Sequence, residues 1–335
     1  MCPFSFFVPE QRKEEMTKTH TRIIIQIFKK ERRISMNYQE FQEALLKELA
    51  YRLDSRIKLH PTIATKNNDT KLHGLVFQDN TSNIATVLYL DAFYEKFQDD
   101  MPITTIAEDI VKLSHQAAKV NLPDANILFD YGQLQKQILY KFINLKANQE
   151  LLKDVPHIPY LDLAIVFYVL LDCRNDGSMA TILIRNKHLE LWKKDVQALL
   201  SDAHQNTRNI FPAELIPMSE IVSNIPLDED RHTISDPDTE LQPELFILTN
   251  SVKQQGAVCV LYDGILNQIW NFLQEDYFII PSSIHETMIV RASGAAVNYL
   301  NEMIQEVNEL AVSPEDRLSD HAYFYAREHQ KLLRA

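Results

Sequence analysis

The chain is constrained most by short apolar runs that come in pairs, each pair joined by a polar turn and followed by a helical pattern. Within residues 244–290, the runs 245–249 and 257–262 flank a polar turn that ends in Gly256. From Ile265 onward the apolar residues recur at the spacing of one helix face. Because a connection this short joins antiparallel neighbours, the pattern predicts a hairpin followed by a helix.

The same order of parts occurs at two other places. Residues 75–90 predict two strands that lead into a short helix at 91–97, and residues 163–184 predict two strands that lead into a helix around Trp192 that runs on past His204. Two explanations stay open: a threefold repeat of one hairpin-helix unit, or apolar strands that resemble one another by chance. In either case the predicted fold class is α+β, with antiparallel hairpins each followed by a helix.

The remaining pattern divides the chain into segments. We expect a basic extension over 1–35, an N-terminal α+β part over 36–150, and a C-terminal α+β domain over 151–330 that carries an acidic, proline-containing loop at 224–243. The individual elements are predicted as a helix from Met36, a three-stranded meander over 57–90, helices at 105–118 and 131–145, a strand at 163–171, a helix at 295–310 and a last helix from Ser313.

The extension differs from the rest of the chain, because Lys and Arg outnumber Asp and Glu in it. Its apolar runs are too short and wrongly placed for a secretory signal. We expect Met36 to be the functional start. The alternative is a basic helix that binds a membrane surface or a partner protein.

Composition excludes several classes of protein. A net charge of −12 argues against a broad nucleic-acid interface. No apolar run reaches the length of a membrane helix. The three cysteines are far apart and form no zinc motif, so no metal site is predicted. The chain has only six glycines and no phosphate-binding loop, so no cofactor is predicted. Protein or small-molecule partners and the oligomeric state are not indicated by the sequence.

One candidate site follows Pro281 at the end of a predicted strand. Ser282, Ser283 and His285 are close in sequence there, and a serine hydrolase needs a serine and a histidine within hydrogen-bond reach. A serine and a histidine two or three residues apart on one extended strand do not usually converge, and no Gly-x-Ser-x-Gly elbow is present. A structural role at the strand end is therefore favoured over catalysis.

A second candidate site lies between a predicted strand and the helix around Trp192. Arg185, Asn186 and His188, with Lys187 among them, could hold a phosphate or carboxylate at a helix N-terminus. The favoured alternative is that Asn186 caps the helix. If the three units are a repeat, Asp91, Asn186 and Asp263 occupy equivalent positions where an N-cap explains each residue.

Several motifs are similar to those of an uncharacterised bacterial family that is classed only as a domain of unknown function. They extend from about Met36 to about Arg327 and include Lys66-Asn-Asn, Leu151-Leu-Lys-Asp-Val-Pro-His, Leu161-Asp-Leu-Ala-Ile-Val-Phe-Tyr, Leu248-Thr-Asn250, Pro281-Ser-Ser-Ile-His-Glu and Leu318-Ser-Asp-His. Asn250, in the fourth of these segments, joins the binding candidates. The resemblance implies a cytoplasmic bacterial protein, and it supplies no catalytic residues.

The sequence as a whole favours a non-enzymatic binding or protein-interaction module, because no set of residues forms a convergent catalytic motif. The alternative is a hydrolase-like enzyme that uses Ser282 or Ser283 with His285 or another histidine.

Overall fold

The computed structural model describes residues 36–79, 85–118, 128–174, 179–223, 245–281 and 283–335. The predictions for the extension, for the acidic loop and for Ser282 lie outside the described residues. The chain divides into two compact units, of which the first comprises Met1–Ala64 with Lys71–Asn121 and the second comprises Thr65–Thr70 with Leu122–Ala335.

The first unit is built from a small sheet and amphipathic helices. Its described elements are the helices α1 (Tyr38–Arg52), α2 (Asp91–Gln98) and α3 (Ile103–Ala118) and the strands β1 (Ile57–Thr65), β2 (Lys71–Asp79) and β3 (Ala85–Tyr89), in the sheet order β1-β2-β3. Asn37 caps α1, whose buried residues Phe41, Leu45 and Leu49 lie four positions apart on one helix face. The predicted helix after Met36 and the predicted meander are confirmed.

The second unit contains two sheets and a larger set of helices. Its described helices are α4 (Tyr131–Leu134), α5 (Gln149–Leu152), α6 (Asn186–Trp192), α7 (Val196–Ile210), α8 (Met218–Ser223), α9 (Ile265–Leu273) and α10 (Val297–Leu310). Its described strands are β4 (Ile138–Asn144), β5 (His157–Tyr160), β6 (Leu163–Cys173), β7 (Met179–Leu183), β8 (Ala213–Pro217), β9 (Leu245–Asn250), β10 (Tyr277–Ile280), β11 (Thr287–Arg291), β12 (Tyr323–Ala326) and β13 (Lys331–Arg334).

Strand β6 is the centre of a four-stranded antiparallel sheet. It pairs with β4 along one edge and with β5 and β7 along the other. Its residues 163–170 are all buried, as predicted for a strand covered on both faces. One face carries Phe142 and Phe167 into the main core, and the opposite face carries Ile143, Ala164 and Val166 into a smaller apolar cluster with Leu152.

The six-stranded antiparallel sheet has the order β13-β12-β10-β11-β9-β8. A 3-10 helix, Gly256–Leu261, contacts both β9 and β4 and is buried almost throughout. Its side chains share the main core with residues of both sheets, including Phe142 and Leu248. The two sheets of the second unit are thus joined through this buried helix.

The predicted strand at 257–262 is wrong, because this segment is the buried 3-10 helix. Strand β9 already pairs with β8 on one side and β11 on the other, so neither edge of β9 remains for a hairpin partner. Apolar residues on every side do not distinguish a buried helix from a buried strand. The hairpin-helix unit therefore does not recur here, and the threefold repeat is not confirmed.

Three further boundaries differ from prediction. The predicted helix at 131–145 is a short α4 followed by strand β4, since residues 138–143 are apolar on both faces of the sheet apart from Lys141. The helix around Trp192 stops at Lys193, where φ is 53°, and restarts as α7 behind the N-cap Asp195. The predicted last helix from Ser313 is a turn, and the chain ends instead with the hairpin of β12 and β13.

No helix in the described part of the chain is long and apolar enough to cross a membrane.

Candidate functional site

Three segments that are far apart in sequence meet in the second unit through asparagine side chains. Asn67 Nδ2 donates to the carbonyl oxygen of Glu315 at 2.7 Å, and Asn68 Nδ2 donates to the carbonyl oxygens of Pro314 at 2.9 Å and Arg317 at 2.7 Å. The turn after β1 is thereby fixed to the loop after α10.

Asn148 ties the same turn to the end of β4. Its side chain is fully buried. Its Oδ1 accepts from the backbone N–H of Asn68 at 2.8 Å, and its Nδ2 donates to Asn68 Oδ1 and to the carbonyl oxygen of Asn144, each at 2.8 Å. Asn68 has φ of 58°, a conformation that asparagine tolerates better than most residues. These bonds fix the position of the turn at residues 66–69 relative to the end of β4.

His285 and Asp316 form the charged centre of this region. His285 Nε2 lies 3.3 Å from Asp316 Oδ1, and the backbone N–H of Gln255 donates to His285 Nδ1 at 3.4 Å. Because Nδ1 accepts a hydrogen bond, the neutral ring carries its proton on Nε2 and donates it to Asp316. Both ring nitrogens are therefore occupied by the protein itself.

The loop that carries His285 also holds Ser283, but the two side chains do not form a nucleophile–base pair. Ser283 Oγ accepts from the backbone N–H of His285 at 3.0 Å, which is a bond within the turn. Thr249 Oγ1 donates to the carbonyl oxygen of His285 at 2.9 Å. Both bonds join side chains to the backbone of the loop, and Ser282 lies outside the described residues.

Asn250 is likewise a structural residue of this region. Its side chain is buried, its Nδ2 donates to the carbonyl oxygen of Gln254 at 2.8 Å, and its Oδ1 accepts from the backbone N–H groups of Val252 at 3.2 Å and Gln254 at 3.3 Å. These bonds close the turn after β9. This turn brings the backbone N–H of Gln255 to the His285 ring.

Gly256 permits this close approach. A Cβ at this position would lie 2.6 Å from the carbonyl oxygen of His285 and 2.8 Å from the backbone nitrogen of Asn250. Real Cβ atoms do not come this close to backbone atoms, so only glycine fits between the two segments.

Lys141 is the second charged feature of the region. It stands on the face of β4 that also carries Val166 of β6 and His157 of β5, because these three residues are aligned in register. Lys141 is half-buried. Burial of its ammonium group, the positive charge of Lys66 and, in the opposite sense, the negative charge of Asp316 together lower the pKa of Lys141 to about 8.

No hydrogen bond or ion pair within the described residues neutralises the Lys141 ammonium group. An amine whose pKa is displaced this far by burial and by a neighbouring cation is typical of functional sites. Lys66 and Asp316 thus both act on the charge of Lys141, and Asp316 also contacts His285.

Two buried acceptors in the same segments have no hydrogen-bond partner in the described structure. They are Asn67 Oδ1, whose own Nδ2 bonds the residue before Asp316, and Gln255 Oε1, whose backbone N–H bonds His285. Buried polar atoms are normally paired, and exceptions mark strain, function or bound water and ligand. The region thus offers cations for an anionic group and amide oxygens for hydrogen-bond donors.

The candidates Arg185, Asn186 and His188 are engaged elsewhere. Arg185 forms an ion pair with Asp154, Asn186 Nδ2 donates to the carbonyl oxygen of Lys153 at 3.1 Å, and His188 Nδ1 accepts from the backbone N–H of Arg185 at 3.0 Å. Burial and the Arg185 charge lower the pKa of His188. These contacts fix the start of the short helix α6 against residues 153–154 and bring none of the three residues to His285.

The expected N-cap role of three equivalent residues is wrong. The N-caps of α2, α6 and α9 are Leu90, Arg185 and Gly264. Asp91 instead bonds the backbone N–H and the ring of His73, and Asp263 bonds His204 and Arg208. Asp91 and Asp263 each join separate segments of their own unit and do not cap the start of a helix.

Among the described residues, no group of three or more His, Cys, Asp or Glu side chains could hold a metal ion. His157 Nδ1 lies 2.9 Å from the carbonyl oxygen of Val155, and the backbone N–H of His321 donates to Ser319 Oγ at 3.2 Å.

The residues that sequence reasoning missed are Lys141, Asp316, Asn67 and Gln255. Lys141 carried a usable signal, because it is the one charged residue within the apolar run 138–143. A lysine inside a strand that is buried on both faces is energetically costly, which makes it unusual at this position. The other three residues lie in polar turns and give no such signal.

The fold and the site together define an α+β protein with antiparallel sheets and a mixed cationic and amide cluster in its second unit. The sequence model described as Family of unknown function (DUF5688) matches residues 38–327, and the chain belongs to this family. The resemblance to a family of unknown function is thereby confirmed. No curated protein and no solved structure matches the chain.

Proposed function

We propose that the second unit is a non-enzymatic binding module for a small molecule that carries an anionic group, and that Lys141 is the anchor for this group. The observation that carries the proposal is the Lys141 ammonium, half-buried on an apolar sheet face beside Lys66 and without a paired carboxylate among the described residues. The positive charge of Lys66 disfavours the charged form of Lys141, and a bound anion would favour it.

The surrounding acceptors support a ligand that also carries hydrogen-bond donors. Asn67 Oδ1 and Gln255 Oε1 accept no hydrogen bond from the described residues, and Asp316 is an acceptor-only carboxylate when ionised. Amide, hydroxyl or ammonium groups on the ligand match these acceptors. A small polar metabolite with one acidic group fits the set better than an apolar ligand does.

The geometry favours binding over the hydrolase alternative. Both ring nitrogens of His285 are engaged, by Gln255 and by Asp316, so the ring has no nitrogen left to accept the Ser283 proton. A serine-reactive fluorophosphonate probe tests the alternative directly: labelling of Ser282 or Ser283 would restore it. We propose the bacterial cytoplasm as the setting, on the resemblance of the motifs.

The test of the binding function is a thermal-shift measurement on the full chain with an anion panel of acetate, glycolate, phosphate and sulfate. Lys141→Met removes the anchor, and Lys146→Met is the matched control because Lys146 is an exposed lysine two residues beyond β4. At least one anion should raise the Tm of the wild type and of Lys146→Met, and should leave the Tm of Lys141→Met unchanged. Equal shifts in all three proteins would contradict the proposal.

Native mass spectrometry of the chain complements this test. A small molecule that stays bound to the wild type and is lost from Lys141→Met would identify the ligand by its mass. Retention of the same molecule by both proteins would place its site elsewhere.

A further inference from the structure

Helix α10 is fixed to the second unit through one of its faces. Leu300 and Ile304 are buried in an apolar cluster with Val290 of the six-stranded sheet. Asn308 is buried too, and its Nδ2 donates to the carbonyl oxygen of Ser319 at 3.0 Å. These contacts account for one face of the helix and hold it in place.

A second row of apolar side chains lies along α10 and consists of Tyr299, Met303, Val307 and Leu310. Successive members are four, four and three residues apart, so they lie on one side of the helix over about 17 Å. Tyr299, Val307 and Leu310 are 66%, 38% and 79% exposed. Single exposed apolar side chains are ordinary, but a row with this spacing is the seam at which one helix packs against another. We call this row the α10 stripe.

The α10 stripe is bordered by carboxylates. Glu302, Glu306 and Glu309 are all exposed, and their spacing of four and three residues places them in a row on the side of the stripe opposite to Leu300 and Ile304. None of the three carboxylates forms an ion pair with a described residue. The segment 292–316 contains no Lys or Arg. The border of the stripe is therefore purely acidic.

This charge decides which occupant fits the stripe. A second copy of the chain that packed through the same surface would bring two rows of glutamates together, and like charges at an interface are unfavourable. The surface of an anionic membrane would be repelled in the same way. A helix that carries apolar residues along one side and Lys or Arg beside them complements both the stripe and its border.

We propose that the α10 stripe is the docking surface for a basic amphipathic helix of a partner protein. The apolar residues of that helix pack against Tyr299 and Leu310, and its Lys or Arg side chains pair with Glu302 and Glu306. The inference is separate from the proposed small-molecule site, to which none of these residues belongs. A seam of about three turns is short, so we expect a dissociation constant on the order of micromolar.

The experiment measures fluorescence anisotropy of labelled synthetic peptides on the full chain. Two helical peptides of three heptads carry leucine at the first and fourth heptad positions, with lysine at the flanking positions in one and glutamate in the other. The lysine peptide should bind at least about tenfold more tightly than the glutamate peptide.

The apolar part of the surface is tested by the variant Tyr299→Ala with Leu310→Ala. Alanine favours a helix, so α10 is retained, and circular dichroism checks this. The variant should bind the lysine peptide at least about tenfold more weakly than the wild type does. The matched control is Tyr51→Ala, since Tyr51 is 88% exposed on α1, and its affinity should equal that of the wild type.

The acidic border is tested by charge reversal. Glu302→Lys with Glu306→Lys should make the chain prefer the glutamate peptide. Glu43→Lys with Glu95→Lys changes the net charge by the same amount at two exposed positions of the first unit, and it should leave the preference for the lysine peptide unchanged.

Four results would overturn the proposal. The first two are equal binding of the two peptides by the wild type and an unchanged affinity of the stripe variant for the lysine peptide. A dimer seen by analytical ultracentrifugation that is lost in the stripe variant would assign the surface to a second copy. Binding to phosphatidylcholine vesicles that is lost in the same variant would assign the surface to a membrane.

Discussion

Replacing Lys141 with methionine should stabilise the second unit at neutral pH. The folded chain keeps a charged ammonium in a half-buried position, beside a second cation, at a pH where the unfolded chain exposes it to water. Methionine has similar length, fills the same space along β4 and carries no charge. Removal of a polar contact usually destabilises a protein, so this prediction has the opposite sign to the common expectation.

The magnitude follows from the pKa of Lys141. Its fall from the ordinary 10.5 to about 8 corresponds to about 3 kcal/mol, at 1.36 kcal/mol per pKa unit. Because the side chain is only half-buried, solvent screening reduces this value, and we expect a gain of about 1–3 kcal/mol. The folded state binds fewer protons than the unfolded state between pH 8 and pH 10.5. The cost is therefore fully present below pH 8 and disappears as the pH rises to 10.5.

Urea unfolding followed by tryptophan fluorescence reports the stability of the second unit. The two tryptophans of the chain, Trp192 and Trp270, both lie in the second unit. Lys141→Met should have a higher free energy of unfolding than the wild type at pH 7 and an equal one near pH 10.5, while Lys146→Met should match the wild type at both. A variant less stable than the wild type at pH 7, or a gain that does not change with pH, would refute the reasoning.

Three further predictions concern the framework of the site. Gly256→Ala should destabilise the second unit by about 3 kcal/mol in urea, because the new Cβ meets backbone atoms at 2.6 and 2.8 Å. Gly264→Ala, where φ is 76° and the nearest atom to the new Cβ is Gln268 Nε2 at 3.7 Å, should cost only about 1 kcal/mol, and equal costs would contradict the steric account. Asn148→Ala should cost about 2–3 kcal/mol, because it leaves buried partner groups unpaired; hydrogen exchange of the turn 66–70 should rise, and an unchanged exchange rate would count against it. The hydrogen bond from His204, together with its charge, lowers the pKa of Asp263, so this acid stabilises the fold above its ordinary pKa and the effect is lost as pH falls through the lowered pKa. The Tm of the wild type should accordingly fall more than that of Asp263→Asn between pH 5 and pH 3, and parallel curves would disprove the link.

The sequence predicted those elements whose apolar residues follow a single period. Helix α1 shows Phe41, Leu45 and Leu49 on one face, and β6 is a long apolar run bounded by polar turns. Both were identified correctly, because an amphipathic helix and a doubly covered strand leave distinct patterns.

The errors fall where burial is complete on all sides. The segment 257–262 and the segment 138–144 are both short and apolar, yet the first is a 3-10 helix and the second is a strand. Whether such a segment becomes a helix or a strand depends on which strand edges are already paired. Strand pairing is a property of the whole unit, so the local sequence pattern does not reveal it.

The site itself shows the same limit. Ser283, His285 and Asn250 were chosen from sequence and do lie in one region, where they shape the loops. Lys141 and Asp316 come from segments about 175 residues apart, and only the folded chain brings their charges together. A tertiary arrangement of this kind leaves no spacing rule in the sequence.

The most direct test of the account is the titration of Lys141 itself, with and without an anion. Reductive ¹³C-methylation of the lysines gives one NMR resonance for each dimethylated side chain, and Lys141→Arg identifies the resonance of Lys141. We expect that resonance to titrate near pH 8 in the chain alone and at a distinctly higher pH when glycolate is present, because a bound carboxylate favours the charged amine. Titration of Lys141 together with the exposed lysines, at a pH that glycolate does not change, would contradict the claim that this residue anchors an anionic ligand.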